Sequence, residues 1–219
     1  MALNEDKKNK YFYTAISIIV IALIIIIVIL SSNSITEAYV YDKYVSGGWT
    51  EDIEDRYYEV KLFGLEKQAS FTYRVNNTNY LSYLTVSTIK TLFLMNENEL
   101  FDKTIETIKT EADNQNIILN TSTKITGTRT LNNSHKTNYV IYEGKEGLED
   151  IMIIGESYNC ANSGTSIICI GYSQITYNNT ENLENWAKII RDKDGTFEGI
   201  YGSDIFTGKD GLIFNVICH

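Results

Sequence analysis

Three cysteines and two histidines are the side chains in this 219-residue sequence best suited to metal, redox or nucleophilic chemistry: Cys160, Cys169, Cys218, His135 and His219. A Ser-His-Asp or Cys-His catalytic site needs a histidine oriented by a second group. Here His135 sits between polar Ser134 and Lys136, and His219 closes the sequence. Zinc needs three or four converging ligands, and two histidines so far apart in the chain do not predict them. There is no C-x-x-C spacing to lower a thiol pKa and no glycine loop to cradle phosphate. The expectation is no catalytic residue, no cofactor-binding residue and no metal ligand, hence not an enzyme.

Cys160 and Cys169 flank Gly164-Thr165, a glycine-first pair suited to a type II′ turn. With that turn at the centre of a hairpin, the two cysteines face each other on a non-hydrogen-bonded rung. Their Cα atoms then lie about 4.5 Å apart, at the close end of disulfide geometry. A structural Cys160–Cys169 disulfide follows. Three fates stay open to Cys218: a buried thiol, a link to a second chain, or displacement of one member of that pair.

Asp192, Asp194, Gly195 and Glu198 form a fragment of a calcium loop, short of a third ligand before the glycine and of the distal glutamate. The stretch Gly199–Gly211 carries Tyr201 and Phe206 among polar residues, the best candidate for a surface that stacks on a sugar or peptide, but ordinary loop packing is the favoured reading. Sequons at Asn76, Asn120, Asn132 and Asn178 mark candidate glycosylation sites.

The elements that position these residues start at an apolar run, Tyr11 to Leu30, uncharged and with nine isoleucines. Twenty residues at about 1.5 Å each cover a hydrocarbon core of roughly 30 Å, so the run predicts a transmembrane helix. Lys7, Lys8 and Lys10 precede it and the next basic residue is Lys43. The positive-inside rule then puts the N-terminus in the cytoplasm and the C-terminal domain outside the cell membrane. The domain reading is a cytoplasmic tail over 1–10, the span over 11–30, a short linker over 31–36 and an extracellular domain over 37–219. A cleaved signal peptide ending at Ser32-Asn33-Ser34 is the rival, disfavoured by the length of the run.

Net charge is −9 for the chain and −10 for residues 31–219, which argues against nucleic acid or anionic lipid as a partner of that domain. Strand alternation fills Glu37 to Leu65, Ser70–Val75 with Tyr80–Thr88, Ile117–Thr130, Thr137–Gly144, Asp150–Cys160 and Ile167–Tyr177. Asn96 with Glu99 predicts a capped helix whose stripe is Leu100, Phe101, Ile105, Ile108 and Ala112. A second helix starts near Thr180 with Leu183, Trp186, Ala187 and Ile190, and Leu212–Cys218 reads as an edge strand. The fold class expected is α+β, a transmembrane helix followed by an antiparallel sheet domain with two packed helices.

The pieces YLTVSTIK, ELFDKTIETIKTEA, ITGTRTLNNSHKTNYVIYEGK, SIICIGYSQITY and NLENWAKII, in that order, resemble the PsbP-like fold of extrinsic photosystem proteins and membrane-anchored prokaryotic relatives. The likeness covers about half the chain. It lacks the proline-containing opening of the family, because the chain has no proline. It implies a non-catalytic domain that binds a protein or a small ligand and assigns no functional residue. The functional expectation is a membrane-anchored binding or assembly module, with the lipid bilayer and an unknown protein or surface ligand as partners. The alternative is a self-associating subunit of a surface filament or layer built through the apolar helix.

Overall fold

The computed structural model describes residues 12–26, 34–76, 81–175, 180–200 and 204–219. The apolar run forms a helix, α1, over 12–26, and its side chains are exposed throughout. Fifteen residues make a rod of roughly 23 Å, against a bilayer core of about 30 Å. No helix among the described residues is long and apolar enough to cross a membrane. The transmembrane helix expected over 11–30 is therefore corrected. The single-pass topology, the cytoplasmic N-terminus and the extracellular placement fall with it, because nothing else in the sequence argued for them. Residues 11 and 27–30 of that run lie outside the described residues.

The rest is α+β. Its strands are β1 (Tyr39–Val40), β2 (Trp49–Lys61), β3 (Glu66–Val75), β4 (Ser82–Lys90), β5 (Ile118–Thr130), β6 (Lys136–Glu146), β7 (Glu149–Cys160), β8 (Thr165–Ile175) and β9 (Val216–Ile217). Helix α2 (Glu97–Asn114) follows β4, and α3 (Thr180–Ile190) follows β8. Seven strands make one antiparallel sheet in the order β2-β3-β4-β8-β7-β6-β5, so the two halves of the domain join where β8 pairs with β4.

Both faces of this sheet are covered, and the middles of β7 (Ile151–Gly155) and β8 (Ile167–Tyr172) accordingly carry apolar residues on both faces. Ile151 and Ile153 point to the α2 side, with Leu100, Ile108 and Ala112; Met152 and Ile154 point to the α3 side, with Trp186, Ala187, Ile189 and Ile190. The sheet also leaves room for the helices by using glycine. A Cβ on Gly155 would lie 2.6 Å from Ile108 Cδ1 and 2.7 Å from Thr104 Cγ2 under α2, and one on Gly171 would overlap Ile189 under α3.

Helix α2 starts as the sequence predicts, with the Asn96 side chain accepting a 2.8 Å hydrogen bond from the Glu99 amide. The segment Leu212–Cys218 differs from the expected edge strand. Leu212, Ile213 and Phe214 are buried in the α3-side core, and only Val216–Ile217 pairs, with β1. Phe206 is buried in the same core, in line with ordinary packing and not with a place on an aromatic binding surface; Tyr201 lies outside the described residues.

Candidate metal centre

The β7–β8 hairpin turns through four residues, Ala161 to Gly164, closed by the Gly164 amide donating to the Cys160 carbonyl at 2.9 Å. The sequence placed a two-residue turn at Gly164-Thr165. With Thr165 in the strand instead, Cys160 pairs with Thr165, and Cys169 lies opposite Glu156, four rungs away. At about 3.4 Å per residue that separation is roughly 14 Å, too far for a disulfide. The Cys160–Cys169 bond is corrected. Cys160 instead bonds Cys218, with Cα atoms 6.6 Å apart. Cys169 is a free, buried thiol, pushed well above its ordinary pKa by burial and by the Glu156 carboxylate.

Cys218 arrives through β9, which β1 holds from one side (Tyr39 opposite Ile217) and the β5–β6 tip holds from the other. That tip, Leu131 to His135, is closed by Leu131 donating to the His135 carbonyl at 2.9 Å, with Ser134 at φ +67°. It is bound to the C-terminal segment at three points. The Asn132 amide donates to Phe214 O at 3.0 Å, Asn132 Nδ2 to Asn215 Oδ1 at 3.0 Å, and Asn133 Nδ2 to Val216 O at 2.8 Å. Asn215 is itself fixed by donating to Lys209 O and Gly211 O, both at 2.8 Å.

These contacts carry His135 to the sulfurs. Its Nε2 lies 3.3 Å from Cys218 Sγ, while His219 Nδ1 lies 3.4 Å from Cys218 Sγ and 3.6 Å from Cys160 Sγ. The Tyr158 ring stacks on His135 with centroids 5.0 Å apart and fixes its plane. Burial, and then the neighbouring His219, hold His135 below its ordinary pKa, so it stands as a neutral imidazole with a lone pair to give. Both sulfurs are fully buried, His135 is half-buried and His219 is exposed.

One donor atom from each of His135, Cys160, Cys218 and His219 lies within 4.8 Å of the other three. A tetrahedral zinc ion, with Zn–S near 2.3 Å and Zn–N near 2.0 Å, requires S···N separations of roughly 3.5 Å. The observed distances straddle that figure. Once the disulfide is reduced, the four side chains supply a Cys₂His₂ set with every position filled by protein, the pattern of a structural rather than a catalytic zinc site. Sequence reasoning missed the cluster because His135 and Cys218 are 83 residues apart. The signal that could have flagged it is the adjacency of Cys218 and His219, two ligand types at the end of an apolar run.

The remaining candidates are placed elsewhere. Asp192 is buried and committed: Oδ1 accepts from the amides of Asp194 and Thr196, both at 3.1 Å, and Oδ2 faces Arg129 at 3.3 Å. It is therefore not free to serve the calcium-loop fragment. Asn76, Asn120 and Asn132 are exposed; Asn120 sits beside an irregularity in β5, where its Oδ1 accepts from the Ser122 hydroxyl at 2.6 Å. Asn178 lies outside the described residues. No family model matches the chain, and no curated protein or solved structure matches it either.

Proposed function

We propose that this chain is a non-catalytic binding module whose C-terminal segment is fixed to the sheet by a zinc ion held by Cys160, Cys218, His135 and His219. The observation that carries this reading is the meeting of two sulfurs and two imidazole nitrogens within 4.8 Å of one another, from three separate segments. A closed four-ligand set leaves no position for substrate, which favours a structural role for the ion. The resemblance of the sequence pieces to the PsbP-like fold, taken as part of this proposal, favours binding over catalysis. What the module binds is a protein or small ligand met by the domain surface.

The test is metal uptake by the full chain after reduction under anaerobic conditions. Cobalt should give the charge-transfer and ligand-field bands of a tetrahedral thiolate site, zinc should displace it, and one zinc per chain should remain after dialysis. Four ligands share the ~10–16 kcal/mol of a structural zinc site, so Cys218→Ser or His135→Ala should each weaken binding by about 100-fold. Cys169→Ser should leave it unchanged. Equal cobalt uptake by the reduced protein and Cys218→Ser would sink the reading.

A further inference from the structure

The zinc centre and the Cys160–Cys218 disulfide use the same two sulfurs, so each state excludes the other. We propose that the redox state of Cys160 and Cys218 controls occupancy of the centre: as thiolates they hold zinc with His135 and His219, and as a disulfide they release it. This rests on the zinc reading above.

Three features of the fold support the switch. First, the donor set stays assembled in the oxidised form, since both imidazoles remain 3.3–3.6 Å from the bonded sulfurs. Zinc can therefore enter on reduction without the tip having to refold. Second, that assembly does not depend on the sulfur bond. The hydrogen bonds from Asn132 and Asn133 to residues 214–216, and the pairing of β9 with β1, hold the two segments together by themselves. Third, the other thiol cannot intrude, because Cys169 is four rungs away and buried in the core. Exchange is confined to one pair, and exposed His219 marks the side from which a small thiol or disulfide approaches.

The step balances with a small-molecule disulfide as oxidant. One protein thiolate attacks it, its S–S bond breaks, and the first small thiolate leaves from a mixed disulfide. The second protein thiolate attacks the protein sulfur of that mixed disulfide, forms the Cys160–Cys218 bond and expels the second small thiolate. The protein gives up two electrons and the oxidant takes two. Zinc leaves as Zn²⁺ with its charge unchanged, and the released thiolates take protons from water according to their pKa.

The experiment uses the full chain, reduced and loaded with one equivalent of zinc, with Cys169→Ser in parallel. Oxidised glutathione is added, free zinc is followed with a chromogenic chelator, and disulfides are located by peptide mapping. One zinc released per disulfide formed is expected, with the bond mapped to Cys160 and Cys218 in both proteins. Reloading should follow a dithiol reductant, and zinc affinity of the oxidised form should be at least ~1,000-fold weaker, since two of four ligands are lost. Zinc retained by fully oxidised protein, or release coupled to a bond at Cys169, would overturn the switch and leave the zinc reading standing. Failure of the reduced chain to take up zinc would overturn both.

Discussion

Arg129 on β5 reaches across β6 to Glu156 on β7 and on to Asp192 after α3, and all three are buried. Its Nε lies 2.9 Å from Glu156 Oε1 and its Nη2 2.6 Å from Glu156 Oε2. Thr137 donates to the same carboxylate, and Arg129 Nη1 donates to the Ile190 carbonyl. The Phe197 ring covers the guanidinium, 4.7 Å from its centroid. One buried cation here meets two buried carboxylates with nearly all hydrogen-bonding atoms satisfied, so removing the bidentate partner leaves Arg129 to Asp192 alone and is costly. Glu156→Gln should lower unfolding stability by about 3 kcal/mol in urea titration. Neutralising Asp150, which meets Lys145 in solvent, should change stability little, since exposed pairs are screened.

Asp192 gives this network a pH dependence. Burial alone would raise its pKa, but hydrogen bonds from Thr196 and the charge of Arg129 outweigh that, and the folded value lies below the ordinary one. The folded state thus binds fewer protons than the unfolded state between the two values. The contribution is complete above the unfolded pKa of about 3.9 and is lost as pH falls through the lowered folded value. Asp192→Asn should reduce stability at neutral pH and flatten the acid limb of a stability profile measured below about pH 4. An acid limb identical to that of the parent chain would count against this assignment.

At the scale of elements, the two packed helices differ in how they are held. Helix α2 begins on a local device, the Asn96 cap, and Asn96→Ala should cost about 1 kcal/mol with the fold intact, read as a small drop in Tm. Its seating on β7 depends on the missing side chain at Gly155, and that of α3 on the missing side chain at Gly171. Gly171→Val would drive a branched side chain into Ile189 and Ile154, both fully buried. A loss of at least ~1–3 kcal/mol is expected, larger than for the cap. Chemical denaturation of both variants side by side checks the order.

At the scale of the whole molecule, the sheet separates two apolar cores, and the C-terminal segment completes only one of them. Leu212, Ile213, Phe214, Val216 and Cys218 pack on the α3 side with Trp186 and Phe206, while the α2 side closes with residues before β9. A bond or ion at Cys218 therefore secures the α3-side core alone. Reducing the disulfide in the presence of a chelator should lower Tm without changing the far-UV signature of the sheet, and zinc added to the reduced chain should restore it by mass action. Circular dichroism with and without reductant, chelator and zinc reads this out.

Sequence by itself determined the local features. The existence and approximate places of α2, α3 and β5–β8 follow from alternation, helical spacing and the Asn96 cap, because these arise among residues a few positions apart; β8 begins at Thr165, two residues before the expected Ile167. Hydropathy located the apolar segment before the domain; among the described residues its helix runs over 12–26, and no described helix is long and apolar enough to cross a membrane. Tertiary structure alone decided the chemistry. A turn of four residues rather than two moved Cys169 away from Cys160, since a shift at the turn displaces every rung behind it. The pairing of β9 with β1, and the asparagine contacts of the β5–β6 tip, then brought Cys218 and His135 together across 83 residues. The same holds for Arg129, Glu156 and Asp192, whose partners are 27 and 63 residues away. Such meetings are fixed by which strands become neighbours, and that choice minimises the free energy of the whole packed chain, not of any one stretch of it.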